Sequence, residues 1–421
     1  LWHCGSRFFI KTCLAQIKTA VAWSCRHHNG ALAPPYVIFP RLCNGHCLMA
    51  AGPAPVFIGS AIYRGSSYGG RHPLAIPRVS TVMDLCRALD WLPPAQYRTS
   101  PCAKPAALHA FHCPQYIAAL QAAESAGQVS DATRLRYHIG TVSNPVFAEM
   151  YRRPATAAGG SLLGVELLRH GGSVFNPGGG THHGMPDRAN GFCYLNDPVL
   201  AILAMRRQGL EQIAYVDIDA HHCDGVEAAF SGQEGILLVS THEERRWPFT
   251  GALNDHAGGV SLNIPLPKGT NDSEFEAIFT QLILPAVARH QPQAIVLQCG
   301  ADAVYEDPLS RLALSNAAHW SAVSALKNMA PRLLVLGGGG YNPWATGRLW
   351  SGVWAVLNGF PIPEVLPASA RAVLEALTWP RRSVPEQALL MGLRDPPRGG
   401  KVRDVIFDRI RALMPRVKKE F

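Results

Sequence analysis

The stretch VDIDAHHCDG, residues 216–225, packs Asp217, Asp219 and Asp224 with the adjacent His221 and His222 directly after an apolar run. Ionisable groups at the end of a buried strand are costly unless they are paired or bind a metal. Asp219 and His221 are two residues apart, and on extended backbone such side chains point the same way. Asp302, within CGADAVYEDP, can complete a set of two carboxylates and one imidazole. Three protein ligands with a fourth position kept for water is the arrangement of a catalytic zinc. A D-x-H pair by itself also occurs as a cap or an ion pair, so Asp302 and the elements below are what favour a metal.

A second cluster is NPGGGTHHGMPDRANGFCYLND, 176–197, in which His182 and His183 stand side by side in a Gly-rich loop. A lone histidine is more often structural, but a tandem pair in such a loop suits proton transfer near neutrality. Each ring needs a partner to fix its tautomer, and Asp217 and Asp224 are the spare carboxylates. A third stretch, LGGGGYNPW at 336–344, admits two readings. Its glycines could bring backbone close to a phosphate, although no Lys follows and the spacing fits neither dinucleotide nor P-loop signatures. Alternatively they let Tyr341 place its hydroxyl over the metal, where a donor to a developing oxyanion is worth ~3 kcal/mol.

These groups must be delivered to one place. From about Pro55 to Trp379, short β-branched runs alternate with longer helical stretches, the pattern of a parallel α/β sheet. Strands are expected at 212–219, 235–241, 294–300 and 332–340, and helices at 155–169, 195–208, 272–289, 315–329 and 344–358. Continuously apolar strands suit a sheet covered on both faces. Asp219 and His221 end the first of these strands and Ser240 the second; Asp302 follows the third and Gly337–Tyr341 the fourth. Sites in such sheets form outside the carboxyl ends of the strands. Residues 380–421 are richer in Pro and basic residues, and are expected to be a peripheral tail ending in a surface helix over KVRDVIFDRIRALM.

The bulk properties set bounds. At 421 residues, 48% hydrophobic and 16% charged, the chain can hold one large domain or two smaller ones. No apolar run reaches the ~18 residues a bilayer needs, so no membrane partner is expected. The eleven cysteines include no C-x-x-C pair, and Cys193, Cys223 and Cys299 fall inside the motifs, which points to a reduced, cytoplasmic protein. Residues 1–48 hold five Cys and five Lys/Arg but no Asp or Glu, and the first Met is Met49. They are expected to be a non-native upstream extension or a disordered segment rather than a targeting peptide. Without them the formal charge of +9 falls to about +4. The basic balance is then weak support for nucleic acid, and no such partner is expected.

Through YGGRHPLAIPRV (68–79), HIGTVSNPVF (138–147), GFCYLND, VDIDAHHCDGVEAAF, LQCGADAVYEDPLSRLALS and LGGGGYNPW, in that order, the sequence resembles the zinc-dependent histone deacetylase family. Within it, the sequence resembles the bacterial acetoin-utilization-type deacetylases. The match covers roughly three quarters of the chain. It implies the arginase–deacetylase α/β fold, a mostly parallel central sheet with helices on both faces and the site at the C-terminal ends of the strands. The implied activity is hydrolysis of the amide of N-acetyl-lysine or related acylated amines, so the implied partners are acetylated lysine side chains or acetylated small amines.

Carried over by position, Asp219, His221 and Asp302 would hold one Zn2+. His183, backed by Asp224, would be general base and then acid; His182, paired with Asp217, would be its electrostatic partner, and Tyr341 would polarise the carbonyl. A structural K+ would rest on Asp217, Ser240 and the backbone carbonyls of Asp219, His221 and Thr241. Gly191, Phe192, Trp247, Leu309 and Gly339 would bind substrate, the two aromatics as tunnel walls and Leu309 as floor, with Arg78 near the acetate exit. Two anionic ligands make the zinc a weaker Lewis acid, which is why base assistance from His183 is needed.

There are departures from the family pattern. Cys223 stands where the family has Gly, and is either a bystander or a point of oxidative inactivation. The rim stretch STHEERRWPFTGAL is short, so Trp247 is matched less directly than Phe192. The family's rim aspartate has no clear counterpart, Asp131 being the candidate. Three other kinds of protein share parts of this pattern. A binuclear ureohydrolase needs an aspartate two residues after Asp302, where Val304 stands. An acetylpolyamine amidohydrolase often carries Asn where this chain has Asp224. A catalytically silent acyl-lysine reader predicts loss of a ligand, His183 or Tyr341, and none is lost. Oligomeric state is not legible.

Overall fold

Among the described residues, runs rich in Val, Ile and Leu, with a short edge strand YRT, build a sheet of eight strands: β1 (Val56–Gly59), β2 (Tyr97–Thr99), β3 (Gly172–Asn176), β4 (Ile213–Asp217), β5 (Ile236–Glu243), β6 (Ser261–Leu266), β7 (Ala294–Gln298) and β8 (Arg332–Leu336). They pair in the order β2-β1-β3-β8-β7-β4-β5-β6, every pairing parallel. The computed structural model describes residues 53–379 and 387–420. The expectations for 1–48, and for the tail over 380–386, lie outside the described residues.

Alternation along each strand feeds two cores. Ala214, Val216, Leu237, Val239, Ile295 and Leu297 pack on one face of the sheet, and Ile213, Tyr215, Ile236, Leu238, Ala294 and Val296 on the other. A sheet buried on both faces needs apolar residues at both parities, which is why β4 and β7 read as continuous apolar runs. The helices expected from the sequence are present as Arg152–Leu167, Asp197–Arg207, Asn316–Leu326 and Pro343–Asn358. The stretch 272–289 forms Asp272–Ile278 and Leu284–His290, joined by a π-helical turn, Phe279–Ile283. Asn342 caps Pro343–Asn358 by accepting from the Trp344 and Ala345 N–H groups, with Pro343 in the first turn. The cap fixes where the helix begins, two residues after Tyr341.

The four strands expected from the sequence are β4, β5, β7 and β8, and they are neighbours in the sheet. Their ends differ from expectation. β4 stops at Asp217, so Asp219 and His221 sit in the loop beyond it. β8 stops at Leu336, leaving the whole glycine run as loop, and β5 continues to Glu243, so Ser240 lies inside that strand, opposite Asp217.

The tail is a surface element with a buried face. Its helix runs over Asp404–Lys419 and seats Ile406, Ile410, Leu413 and Val417 in the larger core, at helical spacing. Arg403 is paired with Glu274 at 2.6 Å, and Asp395 with the fully buried Arg348 at 2.6 Å.

Candidate metal centre and active site

The loops after β4 and β7 bring the three expected ligands together. One donor atom from each of Asp219, His221 and Asp302 lies within 4.8 Å of the others, and all three residues are buried. His221 Nδ1 is 3.2 Å from Asp219 Oδ1 and 2.9 Å from Asp302 Oδ2. Burial, and then the charge of Asp219, push the Asp302 carboxyl above its ordinary range. Burial opposes a charge on His221, but Asp302 and Asp219 outweigh it and lift its pKa to about 10. Two desolvated carboxylates facing one imidazole nitrogen make a donor set that a divalent cation fits, since a buried charge needs a partner.

The remaining carboxylate positions are held by the chain. Gln298 Nε2 and the Gly339 N–H each donate to Asp219 Oδ2 at 2.8 Å, the His221 N–H to Asp219 Oδ1 at 2.9 Å, and the Ala220 N–H to Asp302 Oδ1 at 3.0 Å. A Cβ at Gly339 would sit 2.0 Å from Asp302 Oδ2, and one at Gly300 2.0 Å from Asp219 Oδ2. Of the two readings of the glycine run, the Gly339 contact disfavours a phosphate, because there the backbone closes onto carboxylates.

Beside the metal ligands stand the tandem histidines. His182 Nδ1 is 2.7 Å from Asp217 Oδ2, His183 Nδ1 is 2.6 Å from Asp224 Oδ1, and the two Nε2 atoms are 2.9 Å apart. Burial opposes a charge on His182, yet Asp217 and Asp219 raise its pKa to about 9. Burial, and then the charge on His182, drive His183 down to about 4. The His183 ring centroid is 6.1 Å from that of His221.

Tyr341, buried, lines an open cavity of about 1130 Å3 together with His183, Gly191, Phe192, His221, Trp247 and Leu309. Its ring centroid is 5.8 Å from Phe192, and Trp247 lies 4.6 Å from His183. Trp247 fits because Gly191, at φ +52°, has no Cβ; one would fall 2.1 Å from the indole ring. Burial, and then Asp302 and Asp219, hold the Tyr341 phenol well above its ordinary pKa, so it keeps its proton. Gly339 lines a second, inner cavity with Arg78, His182, His183 and Tyr341, and Arg78 donates to the Gly338 carbonyl at 2.7 Å.

The other expected positions fall as follows. Asp217 stands opposite Ser240 across β4 and β5, and Thr241 Oγ1 donates to the Asp217 carbonyl at 3.3 Å. Burial, and then Asp217, raise the Cys223 thiol well above its ordinary pKa, which suits an inert bystander. Val304 is buried and apolar. Asp131 pairs with Arg134 at the start of the helix Asp131–Tyr137 and does not line the cavity.

The histone deacetylase domain model matches residues 72–357. Histone deacetylase 3 of Oryza sativa subsp. japonica is 36% identical over 311 residues, 71% of this chain and 60% of that protein. The acetoin utilization protein AcuC of Bacillus subtilis (strain 168) is 31% identical over 334 residues, 74% of this chain and 84% of that protein. A solved histone deacetylase homolog from Aquifex aeolicus superposes with a TM-score of 0.81 at 35% identity, covering 86% of this chain and all of that one.

The chain belongs to the histone deacetylase family.

It spans about three fifths of the length of the first curated relatives it matches. Measured against this histone deacetylase site, the sequence reading missed four residues. Gln298 holds Asp219, Asn190 Nδ2 donates to Asp224 Oδ2 at 3.0 Å, and the Tyr215 hydroxyl donates to Asp217 Oδ2 at 2.5 Å. Asp307 accepts the Tyr341 N–H at 2.6 Å and the Leu309 N–H at 2.9 Å; burial, and then Asp302, push its pKa up to about 8. Gln298 ends β7, four residues before Asp302, and Asp307 follows Asp302 by five, placements that could have marked them.

Proposed function

We propose that this chain is a zinc-dependent deacetylase that hydrolyses the amide of N-acetyl-lysine or of a related acylated amine. The observation that carries the reading is the cluster of three buried donors, with His183 and His221 lining one cavity together with Tyr341, and His182 in contact with His183. When bound by Asp219, His221 and Asp302, zinc would polarise the acyl carbonyl and acidify a water beside it.

The chain's own groups do the rest. His183, held neutral with Nδ1–H on Asp224, takes the proton of the attacking water at Nε2 and later delivers it to the leaving amine nitrogen. His182, charged and anchored on Asp217, steadies the negative charge that develops. Tyr341 donates to the oxyanion. Phe192 and Trp247 flank the acyl-lysine stem, Gly191 leaves room for the indole, Leu309 lies at the floor and Arg78 meets the departing acetate. Asp217, Ser240 and the carbonyls of Asp219, His221 and Thr241 hold a structural K+, a reading supported by the opposed, buried Asp217 and Ser240. The free thiols of Cys86, Cys102, Cys113, Cys193, Cys223 and Cys299 support a reducing, cytoplasmic setting.

Turnover of a fluorogenic acetyl-lysine peptide by the purified chain tests this, alongside acetylated polyamines. Release of acetate and free lysine is expected. Bound zinc with no turnover, where a control deacetylase reacts, would favour a silent reader.

A further inference from the structure

Above the tunnel residues, the mouth of the cavity is lined by Glu243, Glu244, Arg245, Arg246, Lys268 and Arg311. The two acids are already neutralised. Glu243 is buried and paired with Arg246, and Glu244 is paired with Arg409 at 2.6 Å. Arg245, Lys268 and Arg311 are exposed, and among the described residues none of their side chains meets a carboxylate. The facing wall contributes His138, Thr141, Ser143 and Asn144, with no acid. Asp131, the candidate for an acidic rim, stands off the mouth on Arg134. The lip therefore carries three uncompensated positive charges on one side and none of the opposite sign.

We propose that the mouth selects acyl-lysines whose neighbours along the polypeptide are Asp or Glu, with Arg245, Lys268 and Arg311 as the specificity residues. This rests on the deacetylase reading above. The acyl-lysine stem would occupy the narrow part between Phe192 and Trp247, so whatever touches the lip belongs to the flanking residues. The exposed Phe249 on the same lip, 74% accessible, offers such a segment an apolar contact as well. A basic flank would place like charges together, which disfavours it by the same mechanism.

The test compares kcat/KM for three acetyl-lysine peptides of one length, with flanks of Asp/Glu, of Ala/Gly and of Lys/Arg. Each exposed ion pair is worth a factor of about two to five, so the acidic peptide should exceed the neutral one by about tenfold, and the basic peptide should be the poorest. The preference should shrink toward one in ~1 M salt, where screening acts within ~3 Å. The triple variant Arg245→Gln, Lys268→Gln, Arg311→Gln should bring the acidic-to-neutral ratio close to one. Equal turnover of all three peptides by the parent chain, or a preference that survives the triple variant, would overturn the proposal and leave the deacetylase standing. No turnover of any peptide would overturn the proposal, and if acetylated polyamines were not hydrolysed either, the deacetylase reading would fall with it.

Discussion

His182 and His183 stand with Nε2 atoms 2.9 Å apart, yet their surroundings drive them to opposite charge states. With Nδ1–H on Asp217, the charged His182 also points a proton at His183. His183 spends its own proton on Asp224, and its Nε2 lone pair faces the His182 N–H, a contact that must yield to the attacking water before the ring can act as base. The pair is thus asymmetric: neighbouring carboxylates raise the pKa of His182, while burial lowers that of His183. His183→Ala should lower kcat by about 10²–10⁴, the usual worth of a general acid–base group, with zinc content retained. Asp224→Asn should fall between this variant and the parent. Full activity of His183→Ala would reassign the base.

Tyr341 is held by the Asn342 cap on one side and by its N–H on Asp307 on the other. Removing only the hydroxyl keeps that backbone frame. Tyr341→Phe should therefore bind zinc normally while losing about 10²-fold in kcat, the scale of one oxyanion donor. An unchanged kcat on every acyl substrate tried would show that the hydroxyl is not used.

His112 supplies a pH dependence remote from the metal. Its Nδ1–H donates to the Met185 carbonyl at 3.0 Å, and its Nε2 accepts the Asn196 N–H at 3.0 Å, so the ring is locked neutral. Burial pushes its pKa down to about 4. At pH 7 neither the folded nor the unfolded ring is charged. Below the unfolded value of ~6.5 the unfolded chain takes up a proton that the folded chain refuses, so stability falls with pH between there and about 4. The loss is about 1.4 kcal/mol per pH unit from this group. Urea midpoints measured from pH 7 to pH 5 should fall, and His112→Gln should flatten the slope.

The buried Arg348 is shared between Glu306 at 2.9 Å and Asp395 at 2.6 Å. Stranding a buried charge costs about 3–5 kcal/mol, and because Glu306 still pairs with Arg348 the loss of Asp395 sets that range as an upper bound. Asp395→Ala should lower stability by up to that amount in urea unfolding. A change below about 0.5 kcal/mol, the scale of an ordinary surface substitution, would show that the tail is only loosely attached.

Much of the site was legible because its chemistry is written in short, local patterns. D-x-H after an apolar run, a tandem histidine and a tyrosine after glycines mark groups that folding alone does not need. The strands β1 and β2 were not legible, being only four and three residues long. Strand β3, as long as β4, has Gly172, Ser173 and Asn176 in place of a continuous apolar run, and β6 is interrupted by Pro265. Gln298, Asn190 and Tyr215 were missed because their roles exist only through partners supplied by the fold. The lip shows the same limit most clearly. EERR at 243–246 looks balanced in sequence, but Glu244 is claimed by Arg409, 165 residues away.

The account stands or falls on one metal ion. Elemental analysis of the purified chain, paired with an activity assay before and after chelation, should find one zinc per chain. Turnover should vanish with the metal and return when zinc is restored, and His221→Ala should lose both together. Full turnover by zinc-free protein, or by a His221→Ala variant without metal, would contradict it.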